Sequence, residues 1–233
     1  MAALALSQRT ARYAGIDPER VWNAGVVAVV AAFSISRLLL IAFNLRSFLQ
    51  YPLLVLALPS LTGSGVLLTA IFTMVYLRLR GVPLLRLLDT WAPCGALLWA
   101  FLSLGRILDG THDGITTQLR WGVRDGIAGS VHPVEMYTCI AASVICLLLL
   151  RSLQSRYGEG RAAGHGLSLA GLAIFFIDFL RLPSDLLSEA WPNAPLDPSQ
   201  IMGLAMLLTG VALLRRDAAQ VLLREKSEAT HAV

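Results

Sequence analysis

Six stretches of the chain, near 23–44, 59–77, 87–105, 133–150, 165–182 and 199–214, are apolar over roughly the length that crosses a bilayer. A hydrocarbon core of about 30 Å takes about 20 residues of α-helix. In lipid, every backbone polar group must be satisfied within its own segment, so each stretch reads as a helix. The expected fold class is all-α: a polytopic integral membrane bundle of about six transmembrane helices, in a single domain over 1–233. Composition agrees, because charged residues are 15% and apolar residues 56% of the 233, with mean hydropathy +0.65. A soluble domain carries roughly 25% charge. This balance excludes a disordered chain, a disulfide scaffold and a nucleic-acid binder with a solvated basic face.

Between the first two stretches, Phe48 to Leu58 is apolar over half a span, with Pro52 and Pro59 bracketing most of it, which suits an interfacial or re-entrant segment. Cys94, Cys139 and Cys146 lie in apolar stretches without metal-ligand spacing, so they read as buried packing. The N-terminus has its apolar run before its basic residues, the reverse of a secretory signal. Residues 217–233 read as a polar cytoplasmic tail with a helical turn or two.

Positive charge orients the bundle. Arg9, Arg12, Arg20, Arg78, Arg80, Arg86, Arg151, Arg156, Arg161, Arg215, Arg216, Arg224 and Lys226 fall on one side of the six stretches; only Arg46, Arg106, Arg120 and Arg124 fall on the other. The positive-inside rule then puts both termini in the cytoplasm and the loops 105–131 and 183–198 on the outward face. The formal net charge of +4 is explained by these loops and by anionic membrane lipid. Arg37 lies inside the first stretch, where a carbonyl or carboxylate partner is a nearer expectation than substrate.

Charges near membrane depth cost roughly 2.5 to 3.5 kcal/mol each on insertion scales, so they point to function. Three clusters converge on the outward face: Gly105-Arg-Ile-Leu-Asp-Gly-Thr-His-Asp-Gly114, His132-Pro-Val-Glu-Met-Tyr137 and Asp178-Phe-Leu-Arg-Leu-Pro-Ser-Asp185. In the first, Gly105, Gly110 and Gly114 allow backbone close to a ligand, while Arg106, Asp109, His112 and Asp113 supply charge. In the second, Pro133 suits a helix first turn, so His132 sits at or beside the N-cap, where free N–H groups and the helix dipole favour an anion such as phosphate. Glu135 either caps that helix end or serves as a base. In the third, Asp178 and Arg181 share a helical face at i,i+3, either as a self-neutralising pair or with Arg181 holding a lipid phosphate. No part of the set has a recognised metal spacing, and neither a metal nor another cofactor is expected.

At these residues the chain resembles the prolipoprotein diacylglyceryl transferase family, multi-spanning bacterial enzymes that move diacylglyceryl from phosphatidylglycerol to a lipoprotein cysteine. Ala11-Arg-Tyr-Ala-Gly-Ile-Asp-Pro-Glu19 resembles the family's cytoplasmic loop after its first span, and Ile35-Ser-Arg-Leu38 its Gly-Ala-Arg-Leu turn. Asp89-Thr-Trp-Ala-Pro93 is similar to its Asp-x-x-Ala-Pro opening, and His132 to Tyr137 to its His-Pro-x-Gln-x-Tyr motif. Phe176-Ile-Asp-Phe-Leu-Arg-Leu-Pro183 resembles its Glu-Phe-x-Arg-x-Pro run.

The departures are equally specific. The family signature Gly-Arg-x-Gly-Asn-Phe-x-Asn-Gly-Glu-x-x-Gly falls on Leu102 to Gly114, where the glycines at 105, 110 and 114 match. The family arginine becomes Ser103, and Arg106 restores a positive charge one turn later. The histidine of a His-Gly-Gly segment falls at Thr62, and a tyrosine and an arginine fall on Ala170 and Ile174. The family also begins with a further span, whereas only Met1 to Leu6 precede the basic loop here.

The resemblance implies an enzyme of the bacterial plasma membrane, with phosphatidylglycerol and the lipobox cysteine of a prolipoprotein as partners and no nucleic acid. It implies attack of a thiolate on the glycerol carbon bearing the phosphate. Arg106 and Arg181 are expected at the phosphate, His132 or His112 as the proton acceptor, and Tyr137 orienting a headgroup oxygen. Gly105, Asp109, Gly110, Gly114, Glu135 and Asp178 are expected to support them. The alternatives are a degenerate member that binds lipid or a membrane partner without catalysis, and a transferase with a changed acceptor.

Overall fold

The computed structural model describes residues 2–51, 63–111, 113–125, 129–154, 159–182 and 196–231. These form two compact units, 1–87 and 88–233.

The first unit holds α1 (Ala2–Ala14), α2 (Pro18–Phe43), α3 (Leu45–Gln50) and α4 (Gly63–Leu79). Asp17 starts α2, its carboxylate accepting the Glu19 N–H at 3.1 Å ahead of Pro18 at the first helical position. α1 is a difference from the reading of 11–19 as a loop. Its Ser7, Thr10 and Ala11, spaced i, i+3 and i+4, form one buried face, and α1 packs on α2. α4 packs on α2 at Gly65, where an added Cβ would fall 2.8 Å from the Cα of Ser36. The Arg37 guanidinium lies over the Phe48 ring, 5.4 Å from its centroid, a cation–π contact. The apolar segment 48–58 ends its helix at Gln50 in α3, and 52–62, including Thr62, lie outside the described residues.

The second unit contains nearly all of α5 (Leu84–Leu108), a two-stranded ribbon of β1 (Val123–Asp125) and β2 (Gly129–Val131), then α6 (Val134–Gln154), α7 (Arg161–Asp178) and α8 (Pro198–His231). The ribbon is antiparallel, with Val123 opposite Val131, and is an addition to the all-α expectation. Helices α2, α4, α5, α6, α7 and α8 answer to the six apolar stretches. Four segments, α2, α5, α6 and Pro198–Ala218 of α8, are long and apolar enough to cross a membrane, and Leu68–Leu79 is a shorter apolar helix. The protein is a polytopic helical membrane protein.

The α7–α8 crossing is made of glycines. Gly164 and Gly171 on α7 face Gly210 and Gly203 on α8; a Cβ on Gly203 would lie 2.9 Å from the Gly171 carbonyl oxygen, and one on Gly210 would lie 2.6 Å from that of Gly164. With no hydrophobic drive between helices in lipid, such backbone approach is what van der Waals packing rewards. It sets the start of α8 beside the end of α7, where Ser199 donates to Asp178. Cys94 and Cys146 are buried as expected, the latter donating to the Pro93 carbonyl at 3.3 Å, whereas Cys139 is only half-buried. The end of α8 corrects the reading of 217–233: helix continues to His231 rather than for a turn or two.

Candidate functional site

Three loop ends are laced together by a small backbone ladder. The Ile115 N–H donates to the Leu180 carbonyl at 2.9 Å, and the Leu182 N–H to that of Asp113 at 2.7 Å. On its other edge the same segment meets β2, the His132 N–H reaching the Ile115 carbonyl at 3.0 Å and the Thr117 N–H that of Ser130 at 2.8 Å. Gly114 thus pairs with Arg181 and Thr116 with Val131. The three polar clusters of the sequence therefore share one ledge.

Two glycines make the ledge possible. Gly110 has φ +71°, and behind it the Thr111 N–H returns to the Arg106 carbonyl at 3.0 Å, ending α5 in a left-handed cap. The chain then doubles back, so Asp113 meets Arg106. Gly114 runs so close to His132 that an added Cβ would collide with the His132 backbone. Gly105 sits within α5 with nothing within 4 Å of its Cβ direction.

The ion pairs centre on Glu135. Its side chain is 5% exposed in the first turn of α6. Its Oε1 accepts from Arg181 Nη2 at 2.9 Å and lies 3.3 Å from Arg106 Nη2. Arg106 also donates to Asp113, and Arg181 Nε lies 3.8 Å from Asp178 Oδ1. One carboxylate oxygen thus joins the two arginines that the sequence placed at a phosphate. Ser103, where the family arginine falls, is buried.

The second half of the set is aromatic. His132 Nδ1 and the Tyr137 hydroxyl are 3.5 Å apart, and that hydroxyl accepts the Trp121 indole N–H at 2.8 Å. Between Asp113, His132 and Glu135 lies a cavity of about 40 Å³. Asp109 is exposed at the turn after α5. His112, Pro183, Ser184 and Asp185 lie outside the described residues.

Two partners escaped sequence reasoning. Trp121 lies 16 residues before Tyr137 and Ser199 21 residues after Asp178, and no local spacing rule links either pair. A tryptophan between Arg120 and Arg124 in the loop after α5 was the available signal for the first. Within the helices of the second unit, Trp91, Trp99, Leu149, Ala170, Ile174 and Met206 help line an apolar groove of about 370 Å³. Ala170 and Ile174, the positions of the family's tyrosine and arginine, therefore contribute apolar wall.

Comparison with known proteins adds the family. The family model for prolipoprotein diacylglyceryl transferase matches residues 1–216. The phosphatidylglycerol–prolipoprotein diacylglyceryl transferase of Clostridioides difficile (strain 630) is 25% identical over 207 residues, 87% of this chain and 80% of that protein. The protein of that name from Finegoldia magna is 27% identical over 64% of this chain and 58% of its own length. The one from Nitratidesulfovibrio vulgaris (strain DP4) is 30% identical over 65% and 59%. In these last two the match spans less than two thirds of the relative. The helical membrane architecture, the polar ledge and a match covering nearly the whole chain agree: this protein belongs to the prolipoprotein diacylglyceryl transferase family.

Proposed function

We propose that the protein transfers diacylglyceryl from phosphatidylglycerol to the cysteine thiol of a prolipoprotein lipobox, at the outward face of a bacterial plasma membrane with both termini in the cytoplasm. The observation that carries this reading is the convergence of Arg106 and Arg181 on one point, now held by the Glu135 oxygen. Two guanidiniums so placed match the charge and fork geometry of a phosphate diester.

In the reaction the thiol proton goes to a base and the thiolate sulfur bonds to the glycerol carbon. The carbon–oxygen bond to phosphate breaks, and glycerol phosphate leaves with the bonding pair. Arg106 and Arg181 stabilise that leaving charge. His132 accepts the thiol proton, with its Nδ1 turned toward Tyr137 and Tyr137 held in turn by Trp121. The test is transfer of labelled diacylglyceryl from phosphatidylglycerol to a lipobox-cysteine peptide by the purified protein in liposomes. Label on the peptide is expected; a peptide left unlabelled rejects the reading.

A second reading, a family member that binds lipid without this transfer, is favoured by the apolar wall at Ala170 and Ile174. Lipid binding with no label on the peptide is its expected signature.

A further inference from the structure

Ahead of the ribbon the chain makes an exposed turn. The Gly122 N–H donates to the Leu119 carbonyl at 3.0 Å, closing a four-residue turn with Arg120 and Trp121 at its centre, and the Leu119 N–H donates to Thr117 Oγ1 at 3.2 Å. Gly122 runs so close to β2 that an added Cβ would collide with Ser130 Oγ, which fixes the turn to the ribbon. The tip is open: Leu119 is 41% and Trp121 61% exposed, and Gln118, Arg120 and Arg124 are exposed beside them. From Gly114 to Arg124 the charged residues are Arg120 and Arg124 alone. Among the described residues neither is in an ion pair.

One hydrogen bond sets the depth of this tip. The Trp121 indole N–H donates to the Tyr137 hydroxyl at 2.8 Å, and Tyr137 is the fourth residue of α6. The 21 residues of α6 are long and apolar enough to cross a membrane. At 1.5 Å per residue they measure roughly 30 Å, the thickness of the hydrocarbon core. Tyr137 therefore lies about 5 Å along the axis from the start of the span, and helical side chains lean toward the N-terminus, which brings its hydroxyl back to the helix end. The indole bonded to it sits where a span meets the headgroup layer. That flank of α6 is open, with Met136 and Ile140 both exposed. Tryptophan favours this layer because it joins an apolar ring to one polar N–H; here Tyr137 satisfies the N–H and the ring remains open. Arginines on either side add attraction for anionic headgroups.

We propose that the 118–124 turn is a docking surface for anionic phospholipid headgroups, with Leu119 and Trp121 in the interfacial layer and Arg120 and Arg124 on lipid phosphates. The surface is peripheral to the ledge. It needs α6 to span the bilayer and does not need transfer at Arg106 and Arg181. Its effect is to raise the local concentration of anionic lipid beside Tyr137.

The test is photo-crosslinking of the full chain, with p-benzoylphenylalanine in place of Leu119, in vesicles of equal parts phosphatidylcholine and phosphatidylglycerol, read by mass spectrometry of the labelled peptide. Both leaflets carry the same lipids, so the result does not depend on the orientation of insertion. Lipid adducts are expected, with phosphatidylglycerol in excess. Arg120→Gln combined with Arg124→Gln is expected to lower the phosphatidylglycerol to phosphatidylcholine adduct ratio about threefold or more, and high salt to lower it in the unsubstituted tip. Arg106→Ala, which removes a ledge guanidinium, is expected to leave the ratio within twofold. If the Leu119 substitution does not fold, the same crosslinker at Gln118 carries the test. A labelled peptide without lipid, a ratio unmoved by the double variant, or adducts that vanish with Arg106→Ala because they belong to the ledge would overturn the proposal. So would a lipobox-cysteine peptide, added to the vesicles, that replaces lipid as the adduct. Adduct formation is the readout, so failure of the transferase reading in the liposome assay is a separate result.

Discussion

The carboxylate of Asp89 in α5 caps α7, accepting the Ala163 N–H at 2.8 Å and, through its other oxygen, the Gly160 N–H at 2.6 Å. The N-cap of α7 is Gly160, which has no side chain to satisfy these groups, so the cap comes from 74 residues upstream of Ala163. Asp89→Ala leaves buried N–H groups unpaired and is expected to cost about 1–3 kcal/mol. Thermal unfolding in detergent measures it, with Asp89→Asn, which keeps one acceptor oxygen, falling in between. An unchanged midpoint for the alanine variant would refute the cap.

The α7–α8 crossing makes a prediction with an internal control. Gly203→Val pushes branched carbon into the Gly171 backbone and is expected to destabilise by about 1–3 kcal/mol or more, read as a fall in the unfolding midpoint. Gly105→Ala enters open space inside α5, so a gain of about 0.5–1 kcal/mol is expected. Equal midpoints for both variants would contradict the packing described.

Arg181 separates charge from geometry. Arg181→Ala strips Glu135 of its shorter ion pair and is expected to lose about 3 kcal/mol of stability along with transfer. Arg181→Lys keeps the charge without the planar fork, so it should fold better than the alanine variant yet transfer at least tenfold more slowly than wild type. Full transfer by either variant would exclude Arg181 from the phosphate site.

Trp121 is 61% exposed, so little packing is lost when it is replaced by phenylalanine. What is lost is the indole N–H that holds the Tyr137 hydroxyl. Trp121→Phe is therefore expected to leave the unfolding midpoint nearly unchanged while slowing transfer several-fold. Unaltered turnover would show that the aromatic chain does not orient His132.

The six apolar stretches and the three polar clusters were legible in the sequence because both rest on local rules: span length in lipid, and the cost of charge at depth. Helix ends were less legible. The stretch 217–233 reads as a polar tail, but it is rich in alanine, leucine and glutamate and continues a helix already formed, so no nucleation cost stops it before His231. The ribbon was invisible because its strands are three residues each and take their meaning from pairing with 113–117. Glu135 shows the same limit within the site. A glutamate in a helix first turn reads as a cap or a base, and its contact with an arginine 46 residues away is a product of tertiary structure.

The most direct test of the transferase account is transfer of labelled diacylglyceryl from phosphatidylglycerol to a lipobox-cysteine peptide in liposomes, with Arg106→Ala and His132→Ala variants run beside the wild type. Label on the peptide is expected with the wild type, and its loss in both variants. No label with the wild type, or undiminished label with either variant, would contradict it.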